Sequence, residues 1–420
     1  MKIWWLSATP YTRSGYGVQT HVACRGLGLA GHDVRVIAMN RPQEAMSVVW
    51  EFPDRRIAQT EGMVDFSEFG AKKLYRIYPH GIGTQQEVQS GDTSWMMGAK
   101  MLQLMLQVDR PDCVISLQDT QNVSFLGQIS GGMNIPWFHW LPWDNIQWEP
   151  DMSKFCMETQ CQIVAMSDFA EKLMQDAKFP YIGKIYHGVD TKAYRPLGVP
   201  KAETRKQLGF EEPDKFWIGY VGANEERKHP DILIDSFAKF AKTHKDARLY
   251  LHTDVQESYP AHYSYNMIPM LQKEDCDEET RHTSRAHYVA KFSDKAMNML
   301  YNSMDMLAST TAGEGFGLMA LYGNASGIPT AITDTCTAKQ LLGNGKWGFL
   351  VEPTTTYVAP GGYKRQLTNA QKMGEALTYA YEHRDELRKM GDLARQDSLK
   401  YDSDIIGAQW AKLIEKEVKL

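Results

Sequence analysis

Short apolar runs alternate with longer amphipathic stretches along this chain. Lys2 to Ser7 is apolar and ends in the polar, glycine-bearing turn Ser14-Gly15-Tyr16-Gly17. A helical pattern follows to about Ala30, Gly31-His32-Asp33 punctuates it, and Val34 to Ala38 reads as a buried strand. Trp95 to Val108 is rich in the helix formers Met and Leu; Pro111-Asp112 breaks it, and Cys113 to Leu117 is strand-like again. Pro136 to Leu141, Ile163 to Met166 and Lys184 to Tyr186 continue the series. Strands separated by helices predict a parallel sheet covered on both faces.

His187-Gly188-Val189-Asp190 and the segment Pro196 to Pro200 close this first unit, and 197–213 reads as a linker with a short helix. The pattern then starts afresh. Phe216 to Val221 is a strand running into Gly222, and Pro230 opens a helix with Leu233, Phe237, Phe240 and Ala241 on one face. Arg248 to His252 is the next strand, and Thr253 to Ala286 is a long polar stretch without a clear element. Ser293 or Asp294 caps a helix to Ser303, Met306 to Ser309 is a strand, Phe316 to Ser326 a helix, and Thr330 to Thr333 a strand. The tail from Ile405 to Val418 is amphipathic, with Ile406, Trp410, Leu413 and Ile414 on one face. The expected fold is α/β, with two doubly wound parallel-sheet domains: 1–197, 198–400, and a C-terminal helix over 401–420.

Composition agrees with two cores: the 420 residues are 43% hydrophobic and 23% charged. A net charge of −5 argues against broad non-specific nucleic-acid binding, and no strong basic patch is evident. No run approaches the roughly 18 to 20 apolar residues of a spanning helix, and the N-terminal apolar stretch is too short for a signal peptide. The six cysteines at 24, 113, 156, 161, 276 and 336 form no paired zinc pattern, and His282 and His287 near Cys276 fit none either. Reduced thiols in a cytoplasmic protein, at most peripheral to a membrane, are the expectation.

Open parallel sheets bind ligands beyond the carboxyl ends of their strands, so chemistry is sought at strand exits. Gly222, Ala223 and Asn224 lead to Arg227-Lys228, two adjacent cations between a strand and a helix that suit a diphosphate. The same pair also fits two solvated charges at a helix start. Glu314-Gly315-Phe316-Gly317-Leu318 places a carboxylate beside glycines that admit a ligand to the backbone, although an ordinary strand–helix turn has the same composition. Gly15 and Gly17 form a possible phosphate-approach turn, short of a full dinucleotide fingerprint. In Trp137-Phe138-His139-Trp140-Leu141-Pro142-Trp143-Asp144, the aromatics suit a sugar or base face and equally a core, and His139 and Asp144 suit an acceptor hydroxyl.

Taken in order, these segments resemble the GT-B glycosyltransferases, and among them the retaining family 4. Ala165 to Ala170, His187-Gly188-Val189-Asp190 with Tyr194-Arg195-Pro196, Arg227-Lys228, Glu314 to Leu318, Gly327 to Thr330 and Gly348 to Pro353 carry the resemblance. It implies two Rossmann-like domains facing a cleft, the first binding the acceptor and the second a UDP- or GDP-linked hexose. Arg227 and Lys228 would stabilise the departing diphosphate, Glu314 would hold a sugar hydroxyl, and His139 would act at the acceptor with Trp140 and Asp144. Gly15, Gly17, Gly222, Asn224, Gly315, Phe316, Gly317, Leu318 and Tyr322 would contact the donor. Configuration would be retained without a metal or cofactor, and the acceptor would be a glycan, a lipid-linked sugar, a metabolite or a modified DNA base. The family's second motif glutamate falls on Tyr322 here, which offers one hydroxyl and no charge. That departure leaves the nucleotide open and keeps a non-catalytic sugar- or partner-binding protein as the alternative.

Overall fold

Seven parallel strands build the first sheet: β1 (Lys2–Ala8), β2 (Asp33–Met39), β3 (Arg76–Pro79), β4 (Cys113–Leu117), β5 (Trp137–Leu141), β6 (Gln162–Ala165) and β7 (Gly183–Lys184), in the order β3-β2-β1-β4-β5-β6-β7. The computed structural model describes residues 1–10, 14–39, 75–79, 90, 97–256, 264–290, 292–359 and 362–418. Every residue of β4 and β5 is buried, as befits strands covered on both faces.

A second sheet is also wholly parallel. Its strands are β8 (Phe216–Val221), β9 (Ala247–His252), β10 (Thr280–His282), β11 (Met306–Ser309), β12 (Thr330–Thr333) and β13 (Phe349–Val351), in the order β10-β9-β8-β11-β12-β13. An antiparallel hairpin, β14 (Pro353–Val358) and β15 (Lys364–Thr368), follows it. Phe216, Ile218 and Tyr220 of β8 pack with Leu233, Ile234, Phe237 and Phe240 from the helix Pro230–Ala241. Fully burying each such side chain contributes about 1.5–3 kcal/mol. In each sheet the strand order reverses at one point, between β1 and β4 and between β8 and β11, where open α/β sheets offer a crevice.

Contacts divide the chain into two units. The first holds Met1–Trp143, Trp148–Gly188 and Ser403–Leu420, and the second holds Asp144–Gln147 and Val189–Asp402. The division at 188/189 precedes the expected boundary at 197/198. The segment read as a linker contains the helix Lys201–Gln207, part of the second unit. Arg205 anchors it: the guanidinium is buried and donates to the carbonyls of Ser303, Pro213 and Lys215 and to Asp305 Oδ2 at 2.7–2.9 Å.

In the first unit the helix Ser403–Glu417 packs on the helix Gly15–Leu29. Gly26 and Gly407 meet backbone to backbone: a Cβ on Gly26 would lie 2.2 Å from Gly407 Cα. Trp410 is fully buried, with edge-on contacts to Trp5 at 5.3 Å and Trp140 at 5.1 Å.

Several expected elements shift. The Met/Leu-rich helix is described from Ala99 to Val108, and Trp95 and Met96 lie outside the described residues. The helix expected from Phe316 runs from Leu318 to Ala325, because Gly317 sits at φ +101°, outside helical space. Within 253–286 the structure has the helix Met267–Lys273 and strand β10, and the helix Arg285–Ala290 begins there. No helix among the described residues is long and apolar enough to cross a membrane.

Candidate functional site

The second unit's switch point explains why two sequence-distant segments meet. β8 and β11 are neighbours, so the segments leaving their carboxyl ends, 222–229 and 310–317, run side by side. Ala312 N donates to Arg227 O at 2.8 Å, and Thr310 Oγ1 donates to His229 O at 2.6 Å and Lys228 O at 3.2 Å. The registration brings both cations to one carboxylate. Lys228 Nζ lies 3.0 Å from Glu314 Oε1, and Arg227 Nη1 lies 3.3 Å from Glu314 Oε2. The three side chains are 17–20% exposed, so these pairs are less screened than surface ion pairs.

Arg227 is a hub. Its guanidinium also reaches Asp144 Oδ2 at 3.2 Å and Glu225 Oε2 at 3.0 Å, and it donates to Gly313 O. Burial pushes the Glu314 carboxyl upward, but the charges of Lys228 and Arg227 outweigh burial and hold it at about 2. A depressed carboxylate contributes stability that is complete above its ordinary value near 4.5 and is lost as pH falls towards about 2. The displacement corresponds to about 3 kcal/mol. Denaturant titrations of wild type and Glu314→Gln are therefore expected to differ by a constant amount above about pH 5 and to converge by that order between about 4.5 and 2; parallel curves through that window would overturn this.

The structure distributes the other expected residues unevenly. Gly222 directly follows β8, with its N–H on His252 O at 3.2 Å. Gly315 is partly exposed and Phe316 buried beside Glu314, and Leu318 opens the following helix. Asn224 turns inward instead: its Nδ2 donates to Asp254 O at 2.8 Å and Tyr265 O at 2.7 Å, and its Oδ1 accepts from Tyr265 N at 2.9 Å. Both ends of that amide are committed to holding the loop, so a side-chain contact to a ligand is replaced by a scaffolding one. Tyr322 packs at 4.5 Å from Tyr194 and 6.1 Å from Tyr301, and Tyr194 Oη donates to Asp294 Oδ1 at 3.1 Å.

In the first unit, Gly15 and Gly17 open a helix capped by Ser14, whose Oγ accepts from Gly17 N at 3.2 Å. His139 and Trp140 lie inside the first unit's sheet. Both are 0% exposed. His139 Nδ1 pairs with Ser116 Oγ at 2.8 Å and Nε2 with Thr120 Oγ1 at 3.1 Å, and burial lowers its pKa to about 4. Trp140 Nε1 donates to Ile185 O at 2.8 Å. They are satisfied core residues, because β5 is covered on both faces. Asp144 belongs with the second unit and bridges Arg227 and Arg365, the latter at 3.0 Å. Glu225 and Arg365 carry no motif that would have marked them. Among the described residues no cluster of three His, Cys, Asp or Glu side chains is spaced to hold a metal.

Residues 200–396 match the model of the family described as glycosyl transferases group 1. The mannosylfructose-phosphate synthase of Agrobacterium fabrum is 25% identical over 209 residues, 47% of this chain and 43% of that protein. The chain thus spans less than half the length of this curated relative. Among solved structures, sucrose-phosphate synthase from Thermosynechococcus elongatus superposes with a TM-score of 0.74 at 14% identity, covering 99% of this chain and 98% of that one. HepE from Anabaena, solved with UDP and glucose, has a TM-score of 0.68 at 14% identity, covering 99% and 100%. Identities this low speak for the fold. Its two parallel-sheet units give this chain the GT-B fold, and the stretch that resembles the glycosyl transferases group 1 family is confined to residues 200–396.

Proposed function

We propose that the protein is a glycosyltransferase that moves a hexose from a UDP- or GDP-linked sugar to a hydroxyl acceptor with retention of configuration. The observation that carries this reading is the cation pair Arg227–Lys228 set against Glu314 at the β8/β11 switch point. Two adjacent cations offer a forked and a point-charge contact to phosphate oxygens, where negative charge grows as the sugar bond breaks. Glu314, kept ionised by those same cations, is an acceptor for a sugar hydroxyl. A carboxylate neutralised by two cations is a weak nucleophile, which favours attack by the acceptor on the same face as the leaving group. Leaving-group charge is met by Arg227 and Lys228, so the reaction is assigned no metal.

The family match over 200–396 supports the donor half of this reading, as do relatives named for sugar transfer. The test is a panel of UDP-, GDP- and ADP-sugars, read first by thermal shift and then by transfer to glycan, lipid-linked, metabolite and modified-base acceptors in the presence of EDTA. One nucleotide series is expected to raise the melting temperature and to support EDTA-resistant turnover with a retained anomer, with Glu314→Ala inert. Wild type and Glu314→Ala equally inert with every donor would overturn the enzyme reading. Tyr322 favours the second reading, a non-catalytic sugar-binding protein, which shows a thermal shift without turnover.

A further inference from the structure

The hairpin β14–β15 touches the cation loop once and meets the groups on either side of it at Asp144 and at the segment leading to Glu314. Arg365 of β15 lies 3.0 Å from Asp144 Oδ2, the same oxygen that Arg227 Nε meets at 3.2 Å. Tyr357 of β14 lies with its Oη 3.0 Å from His229 Nε2, and His229 directly follows Lys228. On the Glu314 side, Gln366 N donates to Ala312 O at 3.3 Å and Thr368 Oγ1 to Thr310 O at 2.9 Å.

His229 needs such holding. It sits at φ +43°, a left-handed conformation that a non-glycine residue adopts at a cost. Its ring lies between Tyr357 and Tyr265, whose Oη is 3.4 Å from Nδ1, and its carbonyl accepts from Thr310 Oγ1. Arg227 has a comparable need. Three carboxylates surround its guanidinium, and the position of Asp144 bears on which of them it faces through Nε. Arg365 holds Asp144 in place through the same oxygen that Arg227 meets.

We propose that the β14–β15 hairpin is a positioning element for the reaction: Arg365, acting through Asp144, orients the Arg227 guanidinium, and Tyr357, acting through His229, orients the backbone that carries Lys228. The inference rests on the donor-site reading above and deepens it. Neither residue touches the donor. Their effect is felt at the leaving group, where a displacement of the cations of about 1 Å costs up to 10²-fold in rate.

The test is steady-state kinetics on the full chain for Tyr357→Phe, Arg365→Gln and Arg365→Lys, with thermal melts of each. Tyr357→Phe and Arg365→Gln are each expected to lower kcat by roughly tenfold and to raise donor KM several-fold, with acceptor KM unchanged. Arg365→Lys is expected to recover part of the loss, since it restores the charge beside Asp144 without the fork. Tyr357→Phe removes one oxygen and keeps the ring, so it folds where a harsher change fails. The proposal is overturned if the variants turn over like wild type, if activity falls only as the folded fraction falls, or if acceptor and donor KM rise together. A wild type that neither binds nor turns over any nucleotide sugar sinks the donor-site reading itself, and this proposal with it.

Discussion

Lys228→Ala is expected to lower kcat by about 10²- to 10³-fold for the preferred donor, while the protein melts within a few degrees of wild type. Lys228 Nζ sits 3.0 Å from Glu314 at a part-buried strand exit, so its charge acts where water screens it little. The alanine variant removes one of two cations at the leaving group and leaves Glu314 paired with Arg227 at 3.3 Å, which protects the fold. Arg227→Ala is expected to be worse on both counts. It deprives Asp144, Glu225 and Glu314 of a shared partner and loses the bond to Gly313 O. Lys228→Arg keeps the charge in a bulkier, forked form and should fall between wild type and Lys228→Ala. Purified variants assayed at saturating donor and acceptor, with melts alongside, decide this. A Lys228→Ala enzyme within threefold of wild type would remove the cation pair from the chemistry.

Gly26→Ala is expected to destabilise the first unit by about 3 kcal/mol, lowering the midpoint of its unfolding transition by roughly 5–10 °C. The added Cβ would lie 2.2 Å from Gly407 Cα and 2.4 Å from Gly407 O, so its obstacle is backbone and not a side chain that can turn away. The helices Gly15–Leu29 and Ser403–Glu417 must then separate, which loosens the Trp5, Trp140 and Trp410 cluster beneath them. Tryptophan emission should shift to the red at the lowered transition. Gly131→Ala, where nothing lies within 4 Å, serves as the control and should be near neutral or slightly stabilising. If Gly26→Ala melts with wild type, the close helix crossing is wrong.

Most of the framework could be read from the chain. Strands β1, β2, β4, β8, β9, β11 and β12 announce themselves as apolar runs bounded by glycine, proline or polar turns, and the alternation with helices gives the parallel sheets. The strand exits that carry Arg227, Lys228 and Glu314 were also legible, and the structure brings those three side chains together there. What pattern reading could not supply was side-chain direction and partnership. In Trp137-Phe138-His139-Trp140-Leu141 every position is buried, so no alternation separates residues that line a site from residues that fill a core. His139 and Trp140 fall within that ambiguity, and the structure shows both buried and hydrogen-bonded. Asp144 and Arg365 are 221 positions apart, and no local rule pairs them. The stretch 253–286 hid its elements because they are short, three to seven residues within it, and polar enough to read as loop.

The tetrapeptide Asp144–Gln147 gives the chain an unusual partition. Counted by contacts, it belongs with Val189–Asp402, while Trp143 and Trp148 on either side belong with the first unit. The first unit in turn reclaims Ser403–Leu420. Neither unit is one continuous stretch of sequence, so the protein is not a pair of exchangeable cassettes joined at 188/189. A chimera that moves Val189–Asp402 of this chain into another protein brings Arg227 and Arg365 but leaves behind Asp144, the carboxylate they share. Recombination of this chain therefore has to carry a four-residue outlier along with the body it serves.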